Sequence, residues 1–592
     1  MSVMVVYFET KQRPCRRASA VVALLTAMLA ASAPTVWAQT APPSLSAIPQ
    51  GSPLPRVQVP SAPKLAPGLP AAAPASPTAS TPGNAVVVTS AELRGSTAYP
   101  AGRFQSLLTS LTGTTDQGLI EDARAQILSA YRQDGYVFTA VTATLEPGQK
   151  LVFSVTEGRI VDVKLDGDIG PAGVQVLRFL NHLTEAAPLD VATLERWLLL
   201  AQDVPGVTLR TVLRPSAGDP GALSLVAQVS RKSLSGLFAA DNRNYSGTGP
   251  EGGLAALSAN SFTEYGERTD ITLFYAARST EVFGQAATEV FLGGSGLKLR
   301  AYFGHGTTDP TGSLGQIGYH GDTSVGGVSL SYPLIKRRET TLSLGAYFDA
   351  LSGNVFSGTN GTSALASRDD LRVLRLGPDY ALRDVVLGDE RVGITIANIR
   401  LSQGLGLLGA SRQGDALAGR AGERIDFSKI AFEASRNQTL FSLSPDTTVA
   451  FQPTIAGQYS HDVLPSAEEF FLGGLRFNRG FYSGEVSGDR ALTAAFEAQL
   501  NTSFSVPGPS GQFDLGTQFY SFYDWGETWQ SRKSDANARL QSWGLGVRAN
   551  FPQGVELDLE GVSRLTRQPL SKSTNTRALP GTGVYWRLVG HF

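Results

Sequence analysis

The segment LTAAFEAQLN, residues 492–501, decides the fold class because its side chains alternate between the two faces of an extended strand. One face is apolar and comprises Leu492, Ala494, Phe496, Ala498 and Leu500. The other face is mostly polar and comprises Thr493, Ala495, Glu497, Gln499 and Asn501. A sheet that closes in a membrane needs this arrangement, with lipid outside and water inside. A soluble sandwich would also alternate, but it would not place Glu497 and Gln499 on its packed side.

The same alternation runs through residues 233–592, where we find no convincing amphipathic helix. In LSLGAYF, residues 342–348, the side chains of Leu342, Leu344, Ala346 and Phe348 share one face. At roughly 22 residues per strand and turn, this segment predicts an all-β transmembrane barrel of about 16 antiparallel strands, an even number as bacterial barrels prefer.

Composition excludes two function classes. The net charge of −1 leaves no basic surface that could hold nucleic acid. No long apolar run occurs beyond residue 40, which excludes helical membrane spans of roughly 20 residues. The low charged fraction, 17%, and the 64 glycines still fit a transmembrane β-barrel.

The chain ends in a further amphipathic strand, GVYWRLVGHF, residues 583–592, whose pattern turns Val584, Trp586, Leu588 and Phe592 outward. A terminal aromatic residue on such a strand resembles the assembly signal of bacterial outer-membrane barrels. We therefore expect Phe592 and Trp586 to be recognised by the barrel assembly machinery, and outer-membrane lipid to contact this face.

The N-terminal residues indicate export from the cytoplasm. Basic residues at 11–17 precede an apolar stretch at 18–33 and the sequence Val36-Trp37-Ala38, which predicts a signal peptide over residues 1–38 rather than a membrane anchor. Residues 39–84 contain 12 of the 33 prolines and predict an extended Pro/Ala-rich tether. The only cysteine, Cys15, lies in the leader, so the mature chain has no disulfide or thiol chemistry.

Between the tether and the barrel, the pattern strand–helix–helix–strand–strand occurs twice, over residues 85–157 and 158–232. The first copy predicts strands over 85–93, 136–145 and 151–155 and a helix over 116–132. The second copy predicts strands over 159–165, 207–213 and 222–229 and helices over 174–182 and 191–202.

This order of segments resembles the outer-membrane transporters of two-partner secretion, the TpsB or haemolysin secretion-activation proteins of the ShlB/FhaC-like family. The small modules would then be POTRA domains. Several stretches resemble family sequences: residues 134–160, 188–229, 241–253, 258–270 and 331–349. Family members often begin with a helix that plugs the pore, but the proline-containing segment QTAPPSLSAIPQGSP offers no good helix, so the presence of a plug is left open.

Two further motifs resemble the wider barrel-assembly superfamily. FFLGGLRFNRGFYSGE, residues 470–485, resembles its long loop with an Arg-Gly-aromatic tip, here Arg479, Gly480 and Phe481. FYDWG, residues 522–526, resembles its strand motif, here Phe522, Asp524 and Gly526. The resemblance implies a lock between loop and strand.

The chemistry of these residues is consistent with such a lock. Asp524 shares a strand face with Phe522 and Gly526, and that face should be the lumen because a carboxylate facing lipid is costly, on the order of a few kcal/mol. Inside the barrel, Arg479 could bind Asp524 bidentately and fix the tip of a loop of about thirty residues. From spacing alone, a solvated loop arginine is an equal alternative.

The resemblance implies a transporter, not an enzyme, that needs no cofactor and sits in the outer membrane of a Gram-negative bacterium with its modules in the periplasm. A secreted TpsA-type exoprotein, a haemolysin or adhesin, would be captured at module sheet edges and threaded unfolded through the lumen. The alternative within the superfamily is a barrel assembly or insertion factor. A passive porin would not need the modules, and an outer-membrane enzyme would need a constellation that the sequence lacks.

Several weaker signals are discounted. The glycine-rich segment 404–409 matches a dinucleotide fingerprint but lacks a following helix. The five histidines show no close metal-ligand spacing. Glu469 has no second carboxylate with an argued place nearby, and the basic residues 336–338 fit a short periplasmic turn better than a phosphate site.

Overall fold

The computed structural model describes residues 85–592, except residues 217, 359–362, 509–510 and 571–577 and the side chain of residue 313. The predicted signal peptide, the predicted tether and any plug segment lie outside the described residues. Among the residues that the structure describes, no helix is long and apolar enough to cross a membrane.

The first small module is an α+β unit. Its elements are β1 (Ala85–Val88), β2 (Ser90–Arg94), α1 (Gln105–Ser110), β3 (Gly113–Asp116), α2 (Gln117–Gln133), β4 (Ala140–Glu146) and β5 (Lys150–Thr156). The Asp116 side chain caps α2 by accepting a hydrogen bond from the Gly118 amide. Helix α2 buries Ala123, Ile127 and Tyr131 against the sheet β2–β5–β4.

Two strand predictions in this module are corrected. The predicted strand over residues 85–93 is two strands, because β1 pairs with β3 whereas β2 pairs in parallel with β5 of another sheet. The strand predicted over residues 136–145 begins only at Ala140. Before it the chain turns, with the Tyr136 amide donating to the Tyr131 carbonyl at 2.8 Å.

The second module repeats the architecture. Its elements are β6 (Arg159–Asp166), α3 (Ala172–Leu180), α4 (His182–Glu185), α5 (Val191–Gln202), β7 (Val207–Pro215) and β8 (Ala222–Arg231). Strand β6 pairs in parallel with β8, and β7 pairs with β8 antiparallel. The Asp190 side chain caps α5 through the Thr193 amide, 2.9 Å away. The helices bury Val176, Phe179 and Leu198 in the module core.

Sixteen antiparallel strands then close into a barrel, as predicted. They are β9 (Leu234–Asp241), β10 (Gly252–Asn260), β11 (Arg268–Ala276), β12 (Glu281–Phe291), β13 (Lys298–Thr308), β14 (His320–Lys336), β15 (Thr340–Ser357), β16 (Ala364–Asp384), β17 (Gly393–Gly404), β18 (Ser428–Ser444), β19 (Thr447–Ser460), β22 (Arg490–Gly508), β23 (Gly511–Trp529), β24 (Ala538–Phe551), β25 (Val555–Arg564) and β26 (Thr582–His591). Two short strands, β20 (Phe470–Leu472) and β21 (Val486–Gly488), lie in the connection between β19 and β22, and a short helix, α6 (Gly312–Gln316), lies between β13 and β14. The ring closes where Arg587–His591 of β26 pair with Leu237–Asp241 of β9.

The two faces of the barrel wall differ as the alternation predicts. In β22, Phe496 is 44% exposed on the outer face, whereas its neighbour Glu497 is 5% exposed and turned inward. Polar side chains that would be costly in lipid are thereby kept in the interior.

The second module is docked on the barrel through three successive turns at one end. Phe291, at the end of β12, is 2% exposed and packs into the module core against Phe179, with ring centroids 5.1 Å apart. Gln175 donates to the Gly293 carbonyl at 2.9 Å, and Ser261 donates to the Pro205 carbonyl at 2.7 Å. Apolar packing flanked by hydrogen bonds therefore fixes this module to the module end of the barrel.

Candidate functional site in the barrel lumen

A long loop, residues 461–489, enters the lumen from the end opposite the modules. It connects β19 to β22 and contains the small hairpin of β20 and β21. Gly473 turns the chain with φ +99°, and a Cβ there would lie 2.1 Å from the Tyr482 carbonyl oxygen. Only glycine fits such a turn, which folds the loop back on itself and presents residues 478–481 at its tip.

The tip contacts the strand residue that the sequence analysis paired with it. The Arg479 guanidinium donates from Nη2 to Asp524 Oδ1 at 3.0 Å and from Nε to Oδ2 at 3.1 Å. The Arg479 backbone amide donates to the same Oδ2 at 2.7 Å. The guanidinium also lies 3.9 Å from the centroid of the Phe522 ring. This is a bidentate, charge-assisted contact that a lysine could not reproduce.

Arg479 has a second acidic partner that sequence reasoning missed. Its Nη1 contacts Glu497 of β22, and Glu497 in turn binds Arg548 of β24 at 2.7 Å. Arg548 binds Asp558 of β25 at 3.1 Å. The alternation did place Glu497 in the lumen, but the sequence alone could not show which strand neighbour would meet the loop. The result is a row of alternating charges across four neighbouring strands.

The residue after Arg479 makes close backbone contacts. The Gly480 carbonyl accepts hydrogen bonds from Arg564 Nε at 2.6 Å and from the Tyr585 hydroxyl at 3.1 Å. A Cβ at Gly480 would lie 2.4 Å from the Ser542 Cβ, so any side chain would push the tip off the wall. The absence of a side chain therefore brings the loop within hydrogen-bond distance of β25 and β26.

Gly526 and Phe481 complete the predicted set. A Cβ at Gly526 would lie 2.4 Å from the Asn478 side-chain oxygen, so this glycine makes room for the tip. Phe481 is fully buried with Leu472, Phe477 and Leu540. The structure thus brings Arg479, Gly480, Phe481, Phe522, Asp524 and Gly526 together at one place on the lumen wall.

The two residues of the predicted assembly signal lie elsewhere, at the closure of the barrel. Phe592 is 63% exposed, and its backbone exchanges hydrogen bonds with Gly236 of β9. Trp586 lies on the same strand, and its amide donates to the Asn242 side chain at 2.8 Å. Trp586 belongs to β26, which closes the ring, and Phe592 follows this strand directly, whereas their recognition by an assembly machinery remains a prediction.

The root of the loop carries a separate buried charge cluster. Arg420, from the loop between β17 and β18, binds Asp489 at 2.8 Å and Glu469 at 3.2 Å. The sequence analysis found no carboxylate near Glu469, yet the fold brings Asp489 to the same arginine. One arginine contacts both carboxylates, which fits an anchor of the loop rather than a pair of catalytic acids.

The weaker sequence signals, the basic residues 336–338 and the glycine-rich segment 404–409, lie at structural positions of the barrel. Lys336 binds Asp203 of the second module at 2.7 Å, and Arg338 binds Glu195 at 3.4 Å, so the basic turn faces the module. Gly404 ends strand β17. Within the described residues no group of three or more His, Cys, Asp or Glu side chains could hold a metal ion.

Comparison with known proteins identifies the family. The model of the haemolysin secretion/activation protein ShlB/FhaC/HecB family matches residues 225–549, more than half of the chain. No curated protein matches the chain significantly.

Two solved structures share the fold. CdiB from Escherichia coli aligns with a TM-score of 0.69 and 18% identity, over 87% of this chain and 92% of that chain. CdiB from Acinetobacter baumannii aligns with a TM-score of 0.59 and 14% identity, over 97% of this chain and 96% of that chain. With the family match and the sixteen-strand barrel, these findings lead to one conclusion: the chain belongs to the ShlB/FhaC/HecB family and is a two-partner secretion transporter of the outer membrane, with its POTRA modules in the periplasm.

Proposed function

We propose that this transporter captures one secreted partner protein at its periplasmic modules and passes it, unfolded, through the barrel to the cell surface. The observation that carries the proposal is that the capture modules and the pore are joined without a flexible segment. Strand β8 ends at Arg231, β9 begins at Leu234, and the Phe291 side chain of the barrel is buried in the second module.

The modules offer edges at which an extended peptide can bind. In the first module β2 and β4 are the outer strands of the sheet, and in the second module β6 and β7 are. An outer strand has backbone groups that an unfolded chain can pair with, and such pairing makes few demands on side chains. A secreted protein kept unfolded in the periplasm therefore fits these edges better than a folded one.

The loop tip serves this function by its position. Arg479, Asp524 and Glu497 hold the tip against one side of the lumen, where the path of a passing chain would run. No step in this scheme needs a nucleotide or a metal, and folding of the partner at the surface would supply the direction.

Deletion of residues 85–157 tests the division of labour. Because Phe291 packs into the second module, removing residues 158–232 would also expose the barrel turn, whereas removing only the first module leaves that packing intact. We expect the truncated protein to remain a heat-modifiable barrel in the outer membrane and to lose export of its partner. Normal export would contradict the proposal, and a general fall in other outer-membrane barrels would favour the assembly-factor alternative.

A further inference from the structure

A second charged contact holds the loop at a distance in sequence from its tip. Glu468 lies on the segment that enters the lumen, in a short 3-10 turn at Ser466–Glu468. Its carboxylate accepts two hydrogen bonds from Arg375 of β16, at 2.7 and 3.0 Å, and binds Lys429 of β18 at 2.8 Å. Its backbone carbonyl accepts from Lys429 at 2.7 Å and from Gln458 of β19 at 3.1 Å.

We propose that Glu468 is a second positioning residue of the transporter, which clamps the entering segment of the loop to β16 and β18 independently of the Arg479 tip. The inference rests on the proposed function only in assuming that loop position matters for export. It concerns different strands from those of the tip, since Arg479 binds β22 and β23. The entering segment and the tip are therefore attached at different places on the lumen wall.

The cationic partners of Glu468 each have a further partner on the barrel wall, so the contact with Glu468 can be broken without leaving them without any contact. Arg375 also binds Asp349 of β15 at 2.8 Å, and Lys429 also donates to Gln458 Oε1 at 3.1 Å. If the loop moves, Arg375 retains a carboxylate partner in Asp349 and Lys429 retains a hydrogen-bond acceptor in Gln458, which lowers the cost of separating the buried charges. Glu468 itself would move with the loop towards water in the lumen.

At the tip, Glu497 keeps Arg548 when Arg479 leaves. Asp524 is fully buried, and its ion pair among the described residues is with Arg479, so release of the tip is the more costly of the two. The two clamps use different strands. Release of the tip alone should leave the entering segment bound, and release of Glu468 alone should leave the tip bound. Full movement of the loop should require release of both clamps, together with the ion pairs of Arg420 and Arg476.

Thiol labelling can follow the two clamps separately, because the chain has no cysteine beyond position 15. Ser466→Cys reports on the entering segment, and Ser542→Cys reports on the wall beneath Gly480. Both serines are buried. Within the described part of the chain neither hydroxyl has a hydrogen-bond partner that the substitution would remove. Each reporter is combined with Glu468→Gln, with Arg479→Ala and with both. The control is Asp379→Asn, which removes a lumenal ion pair between β16 and β17 through Arg400.

Labelling by a small maleimide is measured on inserted, heat-modifiable protein at matched levels. We expect Glu468→Gln to raise the labelling rate of the Ser466→Cys reporter on the order of tenfold, as loss of a charge-assisted hydrogen bond typically shifts a local equilibrium by that factor. In the Glu468→Gln variant the thiol of the Ser542→Cys reporter should remain protected. Arg479→Ala should instead raise the labelling rate of the Ser542→Cys reporter and leave that of the Ser466→Cys reporter unchanged. Asp379→Asn should change neither labelling rate. Glu468→Asp, which keeps the charge, should restore part of the protection.

An unchanged labelling rate at position 466 would overturn the inference. Equal exposure of both reporter thiols by either single variant would also overturn it, because the loop would then be held as one unit. If Glu468→Gln does not insert, Lys429→Gln removes one cation from the same clamp and is judged by the same criteria. Export of the partner is measured in parallel. If labelling changes as expected while export stays normal, the inference that Glu468 clamps the loop holds, but the proposed role of the loop in export is contradicted.

Discussion

The joint between the second module and the barrel and the attachment of the lumenal loop solve the same problem by different means. Both bind a non-barrel element to the wall. The joint uses buried apolar packing around Phe291, with hydrogen bonds and ion pairs at its margin. The loop also packs apolar side chains such as Phe481 against the wall, but adds buried ion pairs at Arg479, Glu468 and Arg420.

The difference indicates which attachment is permanent. Separating an apolar joint exposes surface to water, and no alternative contact compensates for it. An ion pair whose wall partner has a replacement loses less on release, because the charge is not left alone. We infer that the module stays fixed to the barrel during transport, whereas the loop can move only if its apolar contacts with the wall are broken as well as its ion pairs.

The largest expected effect is that of Phe291→Ala. Removing a buried phenylalanine side chain typically costs about 3–5 kcal/mol, and here the loss falls on the joint. We expect the second module to become sensitive to protease and export to fail. Phe303→Ala on β13, where the phenylalanine is 63% exposed on the outer face, is the control. A protease-resistant module in the Phe291 variant would show that the joint does not depend on apolar packing.

Removal of Phe592 should affect neither attachment directly. Phe592 ends the strand that closes the barrel, so we expect less barrel in the membrane, with the export per inserted molecule unchanged. Quantifying heat-modifiable protein alongside export separates these quantities. Full levels of inserted but inactive protein would argue against the assembly role and would suggest that this residue acts in transport.

Lys336→Gln should have a much smaller effect, although it lies at the same joint as Phe291. It removes the ion pair with Asp203, and partly exposed pairs typically contribute about 0.2–1 kcal/mol. We expect protease resistance of the module and export to stay near normal. An effect as large as that of Phe291→Ala would mean that charge rather than apolar packing holds the joint.

The smallest effect concerns the loop at residues 405–427, on the extracellular side. Burial, together with the neighbouring Asp369, raises the pKa of Glu423 to about 8. An unfolded glutamate ionises near pH 4.3, so the folded loop binds the extra proton between about pH 4.3 and 8, and its stability falls as the pH rises through that range. Hydrogen exchange of residues 405–427 should accelerate from pH 5 to 8 beyond the intrinsic rate. Glu423→Gln should remove this acceleration of hydrogen exchange beyond the intrinsic rate. An unchanged acceleration would exclude Glu423 as its source.

The sequence predicted what depends on local periodicity. The alternation in residues 492–501 placed Glu497 inside, and the predicted loop of about thirty residues runs between β19, ending at Ser460, and β22, starting at Arg490. It could not predict contacts set by the pairing of distant segments. The split of residues 85–93 follows from pairing with β3 and β5, and the partners of Glu468 lie on strands far away in sequence. Arg479 and Asp524 were paired only because two motifs resembled a known superfamily.

The central claim, that Arg479 and Asp524 act as one contact in export, is tested most directly by a double-mutant cycle. Partner export is measured for Arg479→Ala, Asp524→Ala and the double variant at matched levels of inserted barrel. Each single substitution should strongly reduce export while the barrel stays in the membrane, and the double variant should be little worse than either, because each change removes the same bidentate contact. Independent, additive losses would contradict the account, since they would show that the contact between the two residues has no part in export.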